Sequence, residues 1–363
     1  MTPLEAEIRE MIASDGPIPV ARYMALCLGH PRHGYYMTRD PFGARGDFVT
    51  APEISQMFGE LVGLWAATVW QLMGSPDDVR LVELGPGRGT LMADALRAVT
   101  VVPAFRAALS VHLVEVSPVL RRRQHDTLTG LGVPMDWHSD VAEVPDGPMI
   151  AIANEFFDAL PIRQAVKQTD GWHERMVGLD HERRLTFALH PAPVRGLDAA
   201  LPPRIRAAPV GVLCEWRSDE PVTGMARRIV ASGGAVLVVD YGHTESGVGE
   251  TLQAVAGHGF ADPLSAPGEM DLTAHVDFRA LGRTAAGEGA CVFGPLAQGE
   301  FLRRLGIEER ARMLRARAIG AQGEQMDKAL TRLVDGGPNG MGELFKAIAF
   351  ADPRLGPLPG FDS

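Results

Sequence analysis

The sequence predicts an α/β fold in which helices cover both faces of a mostly parallel sheet. The first observation is a series of short, near-continuous apolar runs, as expected of strands that are buried on both faces. The second is that helical patterns separate many of these runs, so that the connections are crossovers between parallel strands. The third is a glycine-rich turn, Gly85-Pro-Gly-Arg-Gly89, which follows the first apolar run and leads into a helix.

The individual elements follow from the spacing of apolar residues along the 363 residues. The first 75 residues are predicted to be mainly helical around a turn-rich middle at 40–47, with helices at 4–12 and 55–73. Strands of the sheet are predicted at 79–84, 111–116, 135–137, 149–153, 235–240, 290–293 and 345–350. Further helices are predicted at 91–99, 222–231, 277–286 and 299–335, with a loop from the end of the fifth strand to about residue 271.

A different pattern interrupts this series after the fourth strand. The segments 163–177 and 184–189 alternate apolar and polar residues on either side of 178–181, which predicts antiparallel strands, whereas 191–209 is predicted to be irregular. We therefore expect four parts along the chain, and we expect the insertion to lie over the side of the sheet at which a substrate would bind. These parts are a helical N-terminal extension or lid at 1–75, the first part of the core at 76–162, a β-rich insertion at 163–220 and the second part of the core at 221–363.

Composition and charge narrow the possible functions. The net charge of −10 provides no overall field that would attract nucleic acid or an anionic membrane. Cys27, Cys214 and Cys291 form no close pair, which indicates reduced thiols, and His30 and His33 have no matching ligands for a metal. No apolar run reaches the roughly 18 residues of a membrane span, and the opening residues resemble no targeting peptide. We expect a cytoplasmic protein without a metal, a nucleic-acid partner or a membrane partner; the oligomeric state stays open.

The glycine-rich turn carries the strongest functional signal. Gly85, Gly87 and Gly89 allow the backbone to approach a nucleoside-bearing cofactor closely. Thr90 occupies the position at which a dinucleotide fingerprint has its third glycine, which disfavours NAD. Glu83 beside the turn suits the ammonium group of a methionine moiety better than a pyrophosphate. The pattern therefore favours S-adenosylmethionine, and a tight turn without a ligand is the alternative.

Other cofactor contacts are predicted at the ends of the second and third strands. Glu115 ends the second strand and can accept hydrogen bonds from both ribose hydroxyls. Val116 and Ser117 follow it and are predicted to line the adenine edge. Asp140, after the short third strand, is predicted to meet the exocyclic amine of the adenine.

The fourth strand leads into a motif that contains two acids, Asn154-Glu-Phe-Phe-Asp158. Methyltransferases that modify base amino groups often carry Asn/Asp-Pro-Pro-aromatic here, and Glu155 stands in place of the first proline. Glu155 and Asp158 could bind an arginine guanidinium, which is a planar fork of donors that keeps its charge at neutral pH. Alternatively, Asp158 caps a short helix and Glu155 orders the methionine end of the cofactor. Asn154 is predicted to contact the cofactor.

Two further segments carry candidate residues. Thr50 is predicted to cap a helix in a capping box with Glu53, and Glu53, Gln56 and Glu60 would form a polar face that closes the cofactor pocket. Alternatively, Glu60 lies on the solvated surface and has no role in the pocket. In a later segment, Asp271 to Phe278, His275 could act as a general base or serve as a structural hydrogen-bonding residue.

Together these motifs resemble those of the MidA family of class I, Rossmann-like methyltransferases, over about residues 3 to 350. The resemblance rests on Gly46–Glu60, Val82-Glu-Leu-Gly-Pro-Gly-Arg-Gly-Thr90, Val114-Glu-Val-Ser-Pro118, Ala153-Asn-Glu-Phe-Phe-Asp-Ala-Leu-Pro161 and Asp271-Leu-Thr-Ala-His-Val-Asp-Phe278. It implies a seven-stranded sheet, an N-terminal helical extension and an inserted subdomain, with S-adenosyl-L-methionine as cofactor. Mitochondrial relatives are complex I assembly factors that symmetrically dimethylate an arginine on the 49-kDa-type subunit. Glu155 and Asp158 are analogous to the double-glutamate loop of arginine methyltransferases, although that loop is longer.

Protein arginine methyltransferase is therefore the leading hypothesis, with a protein substrate that could be the complex I subunit. A small-molecule or other protein methyltransferase is the second hypothesis. A cofactor-binding assembly chaperone without turnover is the third. A nicotinamide oxidoreductase comes last, because Thr90 breaks its fingerprint.

Overall fold

A computed structural model describes residues 1–39, 49–256, 259–337 and 340–361; the turn-rich segment predicted at 40–47 lies outside these ranges. The chain divides into two compact units. The first, which we call the sheet unit, comprises Phe42–Phe157, Asp219–Thr244 and Phe278–Ser363. The second, the insertion unit, comprises Met1–Pro41, Asp158–Ser218 and Glu245–Asp277. This grouping differs from the expected boundaries, because the helix Gln56–Leu72 belongs with the sheet and the first helices belong with the insertion.

The described part of the sheet unit contains a sheet of seven strands. They are β1 (Val79–Leu84), β2 (Leu109–Val114), β3 (Met135–His138), β4 (Met149–Asn154), β5 (Gly234–His243), β6 (Cys291–Ala297) and β7 (Phe345–Ala351). Their order is β3-β2-β1-β4-β5-β7-β6. The strands β1 to β5 pair in parallel, and β7 is antiparallel to both β5 and β6. The predicted seven-stranded, mostly parallel sheet is confirmed.

This strand order positions a ligand site. From β1 the chain crosses to β2 and β3 on one side and then to β4 and β5 on the other, so the direction of winding reverses between β1 and β4. In open α/β sheets, ligands bind at the carboxyl ends of the strands at such a reversal. Leu84 of β1 is paired with Ala153 of β4, which brings the glycine-rich turn beside Asn154.

Helices of the sheet unit enclose the apolar strands. The α-helices are Ala51–Ile54, Gln56–Leu72, Thr90–Ala98, Pro103–Ala108, Pro118–Leu128, Glu220–Ser232, Phe278–Gly287, Gln298–Arg304, Ile307–Arg315 and Gln322–Val334, with 3₁₀ turns at Val99–Val101 and Val141–Glu143. The helix Gln56–Leu72 lies close against Thr90–Ala98, since a Cβ on Gly63 would lie 2.6 Å from the Ala95 Cα. The unit is held by its own core, which includes the buried side chains of Phe58, Trp65 and Phe105.

The insertion unit is built on a five-stranded sheet and a three-stranded sheet. The first contains Ile18–Pro19, Ile162–Gln168, Gly171–Leu179, Leu185–Pro193 and Leu213–Arg217, and the second contains Gln253–Ala256, Gly259–Ala261 and Asp271–Thr273. A short strand, Val276–Asp277, follows. Its helices are Pro3–Asp15, Val20–Gly29, Tyr35–Thr38, Leu197–Ala200 and Pro203–Arg206. A separate core, which includes Leu4, Tyr23 and Tyr35, fills this unit.

Three predictions for this region were wrong in detail. The segment 163–177 is two strands and not one, because the chain turns at Thr169-Asp170 before Gly171, whose φ of +142° suits glycine. The second hairpin turn, predicted at 178–181, overlaps that interval and lies between Leu179 and Leu185, where the Asp180 carboxylate accepts hydrogen bonds from the Glu182 and Arg184 amides. The loop predicted up to about residue 271 contains strands, and 191–209 contains two short helices. None of the described helices is long and apolar enough to cross a lipid bilayer.

Candidate active site

The glycine-rich turn has the backbone conformation for which glycine is needed. Gly85, Gly87 and Gly89 have φ values of +60°, +54° and +80°, in the left-handed region that side chains with a Cβ disfavour. Gly85 is also closely approached, because a Cβ there would lie 2.9 Å from Phe156 Cδ2. Gly89 precedes the helix Thr90–Ala98 as its N-cap. The backbone conformation therefore explains why glycine occupies each of these three positions. The turn also brings the main chain close to the neighbouring cleft.

A cleft of about 380 Å³, partly open to solvent, lies at this turn. Its lining residues all belong to the sheet unit. They are Thr50, Pro52, Glu53, Glu83, Gly85, Pro86, Gly87, Arg88, Thr90, Leu91, Asn154 and Glu155. The structure thus brings together residues from three separate motifs, namely Glu53, Glu83 and the neighbouring pair Asn154 and Glu155.

The cleft holds two buried acceptor atoms that a ligand could satisfy. Glu83 is 3% exposed, and its Oε2 has no hydrogen-bond partner among the described residues. The same holds for the Oδ1 of Asn154. Burial raises the pKa of Glu83 to about 8. A buried polar atom without a partner is costly, so these two oxygens fit a ligand that brings hydrogen-bond donors, as the ammonium of S-adenosyl-L-methionine does.

Glu53 contacts the glycine-rich turn and forms no capping box. The helix Ala51–Ile54 begins after Thr50 as predicted, but the Thr50 side chain makes no capping hydrogen bond. Glu53 instead accepts a hydrogen bond of 2.5 Å from the Thr90 hydroxyl and lies 3.6 Å from the Arg88 guanidinium. The predicted capping box is therefore wrong, because stronger partners across the cleft hold the carboxylate. Sequence patterns gave no signal for Arg88, whose position depends on the fold of the turn.

Gln56 is not brought to the cleft. The chain is extended at Ser55, with φ of −160°, so a new helix begins at Gln56 and the polar face predicted from Glu53 onward is interrupted. Gln56 Nε2 donates to Glu60 Oε1 at 3.1 Å on the surface. Arg310 donates to both carboxylate oxygens of Glu60 at 2.7 and 2.8 Å. The structure therefore gives no support to Gln56 as a cofactor ligand, and Glu60 is an ion-pair partner.

Glu155 lines the cleft directly after β4. Its Oε1 accepts hydrogen bonds from the Ala51 amide at 3.0 Å and from Asn154 Nδ2 at 3.2 Å. Its backbone amide donates to Val239 of β5 at 2.9 Å. These contacts fix a half-buried carboxylate beside the glycine-rich turn.

Asp240 ends the apolar run of β5, and its carboxylate accepts hydrogen bonds from the amides of Phe156 and Phe157, in the loop that follows Glu155. The sequence patterns did not lead us to Asp240, although an acid at the carboxyl end of a predicted strand was a usable signal.

The predicted ribose acid is buried in a polar network. Glu115 follows β2, is 7% exposed, and accepts hydrogen bonds from the Ser117 amide at 2.8 Å and from Gln124 Nε2 at 3.1 Å. Burial raises the pKa of Glu115. Gln124 also donates to the Gly87 carbonyl at 2.8 Å, which links Glu115 to the glycine-rich turn. The ribose contact of Glu115 stays a prediction.

The adenine-side candidates lie near the ends of β2 and β3. Val116 is 57% exposed, and the Ser117 hydroxyl caps the helix Pro118–Leu128 through the Leu120 amide. The Asp140 carboxylate accepts a hydrogen bond from the Ala142 amide at 2.8 Å. Ser117 and Asp140 thus have local structural roles, and the adenine contacts of all three residues stay predictions.

Asp158 and His275 belong to the insertion unit. Asp158 is 7% exposed and lies in a turn before the strand Ile162–Gln168, so the alternative that it caps a short helix is wrong. Its backbone carbonyl accepts from the Ala274 amide at 3.0 Å. The backbone of His275 is held by the Thr251 hydroxyl and by Arg217 Nη1, at 3.0 and 2.7 Å. Catalytic roles for Asp158 and His275 stay predictions. Among the described residues, no cluster of His, Cys, Asp or Glu could hold a metal ion.

The sheet order and the cleft define the class of protein. A sheet ordered β3-β2-β1-β4-β5-β7-β6, with a glycine-rich turn after β1 and buried acceptors beside it, is that of a class I methyltransferase. The sequence profile of a family of S-adenosyl-L-methionine-dependent methyltransferases matches residues 61–296. The chain belongs to this family, and it is a methyltransferase that uses S-adenosyl-L-methionine.

Similar proteins agree with this assignment. The chain is 39% identical over 378 residues to the mitochondrial protein arginine methyltransferase NDUFAF7 homolog of Drosophila melanogaster, covering 95% of this chain and 84% of that protein. It is 38% identical to the mitochondrial protein arginine methyltransferase NDUFAF7 of Danio rerio, covering 92% and 83%. A Burkholderia thailandensis protein crystallised with S-adenosyl-homocysteine is 32% identical, with a TM-score of 0.83 over 99% of this chain and 94% of that chain.

Proposed function

We propose that this methyltransferase modifies an arginine side chain of a protein, and that the acceptor is a respiratory complex I subunit of the 49-kDa type or a similar protein. The observation that carries this proposal is the Glu155 carboxylate, which lines the cofactor cleft at a position where base methyltransferases have proline. The relatives from Drosophila melanogaster and Danio rerio are named protein arginine methyltransferases, which supports the same acceptor. The complex I subunit is proposed from the MidA resemblance.

The chemistry of a guanidinium suits this carboxylate. When bound, S-adenosyl-L-methionine supplies a methyl group on a positively charged sulfur. Glu155 would accept hydrogen bonds from the guanidinium and hold one nitrogen in place for attack. The bonds from Ala51 and Asn154 orient the carboxylate before the acceptor arrives, which lowers the entropic cost of the reaction. The nitrogen that gains the methyl group loses one proton, to Glu155 or to water.

Two buried acceptors in the same cleft would hold the cofactor. Glu83 and Asn154 would accept hydrogen bonds from its ammonium group, and the backbone at Gly85 and Gly87 permits close approach. Arg88 supplies a positive charge at the same cleft, which suits the carboxylate of the methionine moiety. The cleft therefore carries both charges that a zwitterionic ligand requires.

The direct test is mass spectrometry of the host proteome in a strain without the gene and in the same strain with the gene restored. We expect one or a few arginine methyl groups to disappear and to return on complementation, with the clearest loss on a complex I subunit. Loss of methyl groups from lysine, glutamine, RNA or a metabolite would contradict the arginine proposal. An unchanged set of methyl groups together with defective complex I would favour an assembly chaperone.

A further inference from the structure

Asp240 is a buried carboxylate whose hydrogen bonds go to the loop that carries Glu155. It is 0% exposed and lies in β5, beside the carboxyl end of β4. Its Oδ2 accepts from the Phe156 amide at 3.1 Å and from the Phe157 amide at 2.9 Å, and its Oδ1 accepts from the Tyr241 amide at 2.9 Å. A buried carboxylate requires such donors, so Asp240 and this loop stabilise each other.

The loop has an unfavourable backbone conformation at Glu155, the residue that carries the carboxylate. Glu155 has a φ of +50°, which is disfavoured for a residue with a Cβ. Such conformations persist when surrounding contacts determine them, and they are frequent at functional sites. On one side of this strained residue, the Glu155 amide donates to Val239 at 2.9 Å. On the other side, the next two amides donate to Asp240.

The same loop is also packed against the glycine-rich turn. The Phe156 ring occupies the space over Gly85, where a Cβ would lie 2.9 Å from Phe156 Cδ2. By holding the Phe156 amide, Asp240 fixes the loop that supplies Glu155 and also places a side chain on the cofactor turn. A single buried carboxylate therefore connects the acceptor side and the cofactor side of the cleft.

We propose that Asp240 is a positioning residue for methyl transfer, which holds Glu155 in its strained conformation and so aims its carboxylate at the acceptor nitrogen. This inference rests on the proposed role of Glu155. Asp240 itself is buried beneath the loop and acts through the amides of Phe156 and Phe157.

The test is the isosteric change Asp240→Asn, alone and combined with Glu155→Gln. An asparagine has one acceptor oxygen where the carboxylate uses two, so at least one loop or strand amide loses its acceptor. We expect the rate of methyl transfer from labelled S-adenosyl-L-methionine into proteins of a gene-deleted lysate to fall at least about tenfold. The affinity for S-adenosyl-homocysteine, measured by calorimetry, should change less than about threefold. In the Glu155→Gln background, Asp240→Asn should reduce the residual rate less than about threefold, because the two residues act together.

Equal losses in both backgrounds, or an unchanged rate in the single variant, would overturn the inference. If methyl transfer by Asp240→Asn is slow while Glu155→Gln keeps the normal rate, the proposed role of Glu155 is wrong. If methyl transfer by Glu155→Gln is slow while Asp240→Asn keeps the normal rate, only the role of Asp240 is wrong. The matched control is Asp352→Asn, because Asp352 is 4% exposed and also accepts a hydrogen bond from a backbone amide, that of Arg354 at 3.0 Å. This control variant should transfer methyl groups at the normal rate.

A second measurement applies if Asp240→Asn does not fold. Hydrogen exchange of the unmodified protein should show the Phe156 and Phe157 amides protected to nearly the level of the β4 amides, because Asp240 accepts from both. Rapid exchange at these two amides would contradict the inference independently of any activity.

Discussion

At the scale of single residues, the cleft combines acids in different electrostatic environments. The Oε2 of Glu83 is buried and has no hydrogen-bond partner among the described residues, whereas Glu53 lies near the Arg88 guanidinium and Glu155 accepts two hydrogen bonds. A bound ligand can supply a donor to this oxygen of Glu83. This difference explains how one cleft could hold a cationic cofactor and also orient a second cationic group.

The pKa of Glu83 leads to a prediction about pH. Burial raises this pKa from its usual 4.5 to about 8, so between these values the folded protein without ligand keeps a proton that the unfolded chain has released. The unfolded state then binds fewer protons, and stability falls as pH rises through this range. Glu83→Gln removes the titrating group, so its free energy of unfolding should decline less between about pH 5.5 and about pH 7.5 in urea denaturation. Identical pH slopes in the two proteins would contradict the raised pKa.

Several site residues could be predicted from the sequence, for a physical reason. Glu83, Gly85, Asn154 and Glu155 lie at the ends of apolar runs, and parallel strands bring those ends to one edge of the sheet. Gln56 does not line the cleft, because the extended backbone at Ser55 interrupts the helix, which helical spacing alone did not reveal.

At the scale of elements, the long runs of the sheet were predictable and the insertion was less so. Strands buried on both faces have a strong apolar signal, and the boundaries of β1 agree with the prediction. Half-buried strands in the insertion have a weaker signal, so the Thr169-Asp170 turn and the strands between 253 and 273 were missed. No local sequence pattern predicted the role of the glycines at the contact between Gln56–Leu72 and Thr90–Ala98, because the two helices are distant in sequence.

That helix contact leads to a paired stability prediction. Gly63→Ala would place a Cβ 2.6 Å from the Ala95 backbone, and overpacking costs about 1–3 kcal/mol. This cost should exceed the gain of about 1 kcal/mol in helix propensity, so the free energy of unfolding should fall. Gly224→Ala is the matched control in the helix Glu220–Ser232, where a Cβ meets nothing within 4 Å, and it should stabilise by roughly 0.5–1 kcal/mol. Equal effects in urea denaturation would show that the two helices can separate at no cost.

At the scale of the whole molecule, each unit is assembled from stretches that are far apart in the chain. The sheet unit combines three stretches and contains every residue that lines the cofactor cleft. The insertion unit combines the first helices with 158–218 and 245–277, around a core shared by Leu4, Ile162 and Leu272. No local pattern revealed this association, because it depends on long-range packing of apolar faces. The predicted boundaries therefore followed the order of the chain, whereas the structure follows the cores.

We propose that Glu155 serves the acceptor and that other residues of the cleft hold the cofactor. The most direct measurement compares Glu155→Gln with the exposed-surface control Glu324→Gln for S-adenosyl-homocysteine affinity by calorimetry and for methyl transfer into a gene-deleted lysate. We predict that Glu155→Gln binds within about threefold of the normal affinity but transfers methyl groups at least about a hundredfold more slowly, the scale of lost positioning. The control should match the unmodified protein in both measurements. Normal transfer by Glu155→Gln, or equal loss of binding and transfer, would contradict the proposed role of Glu155.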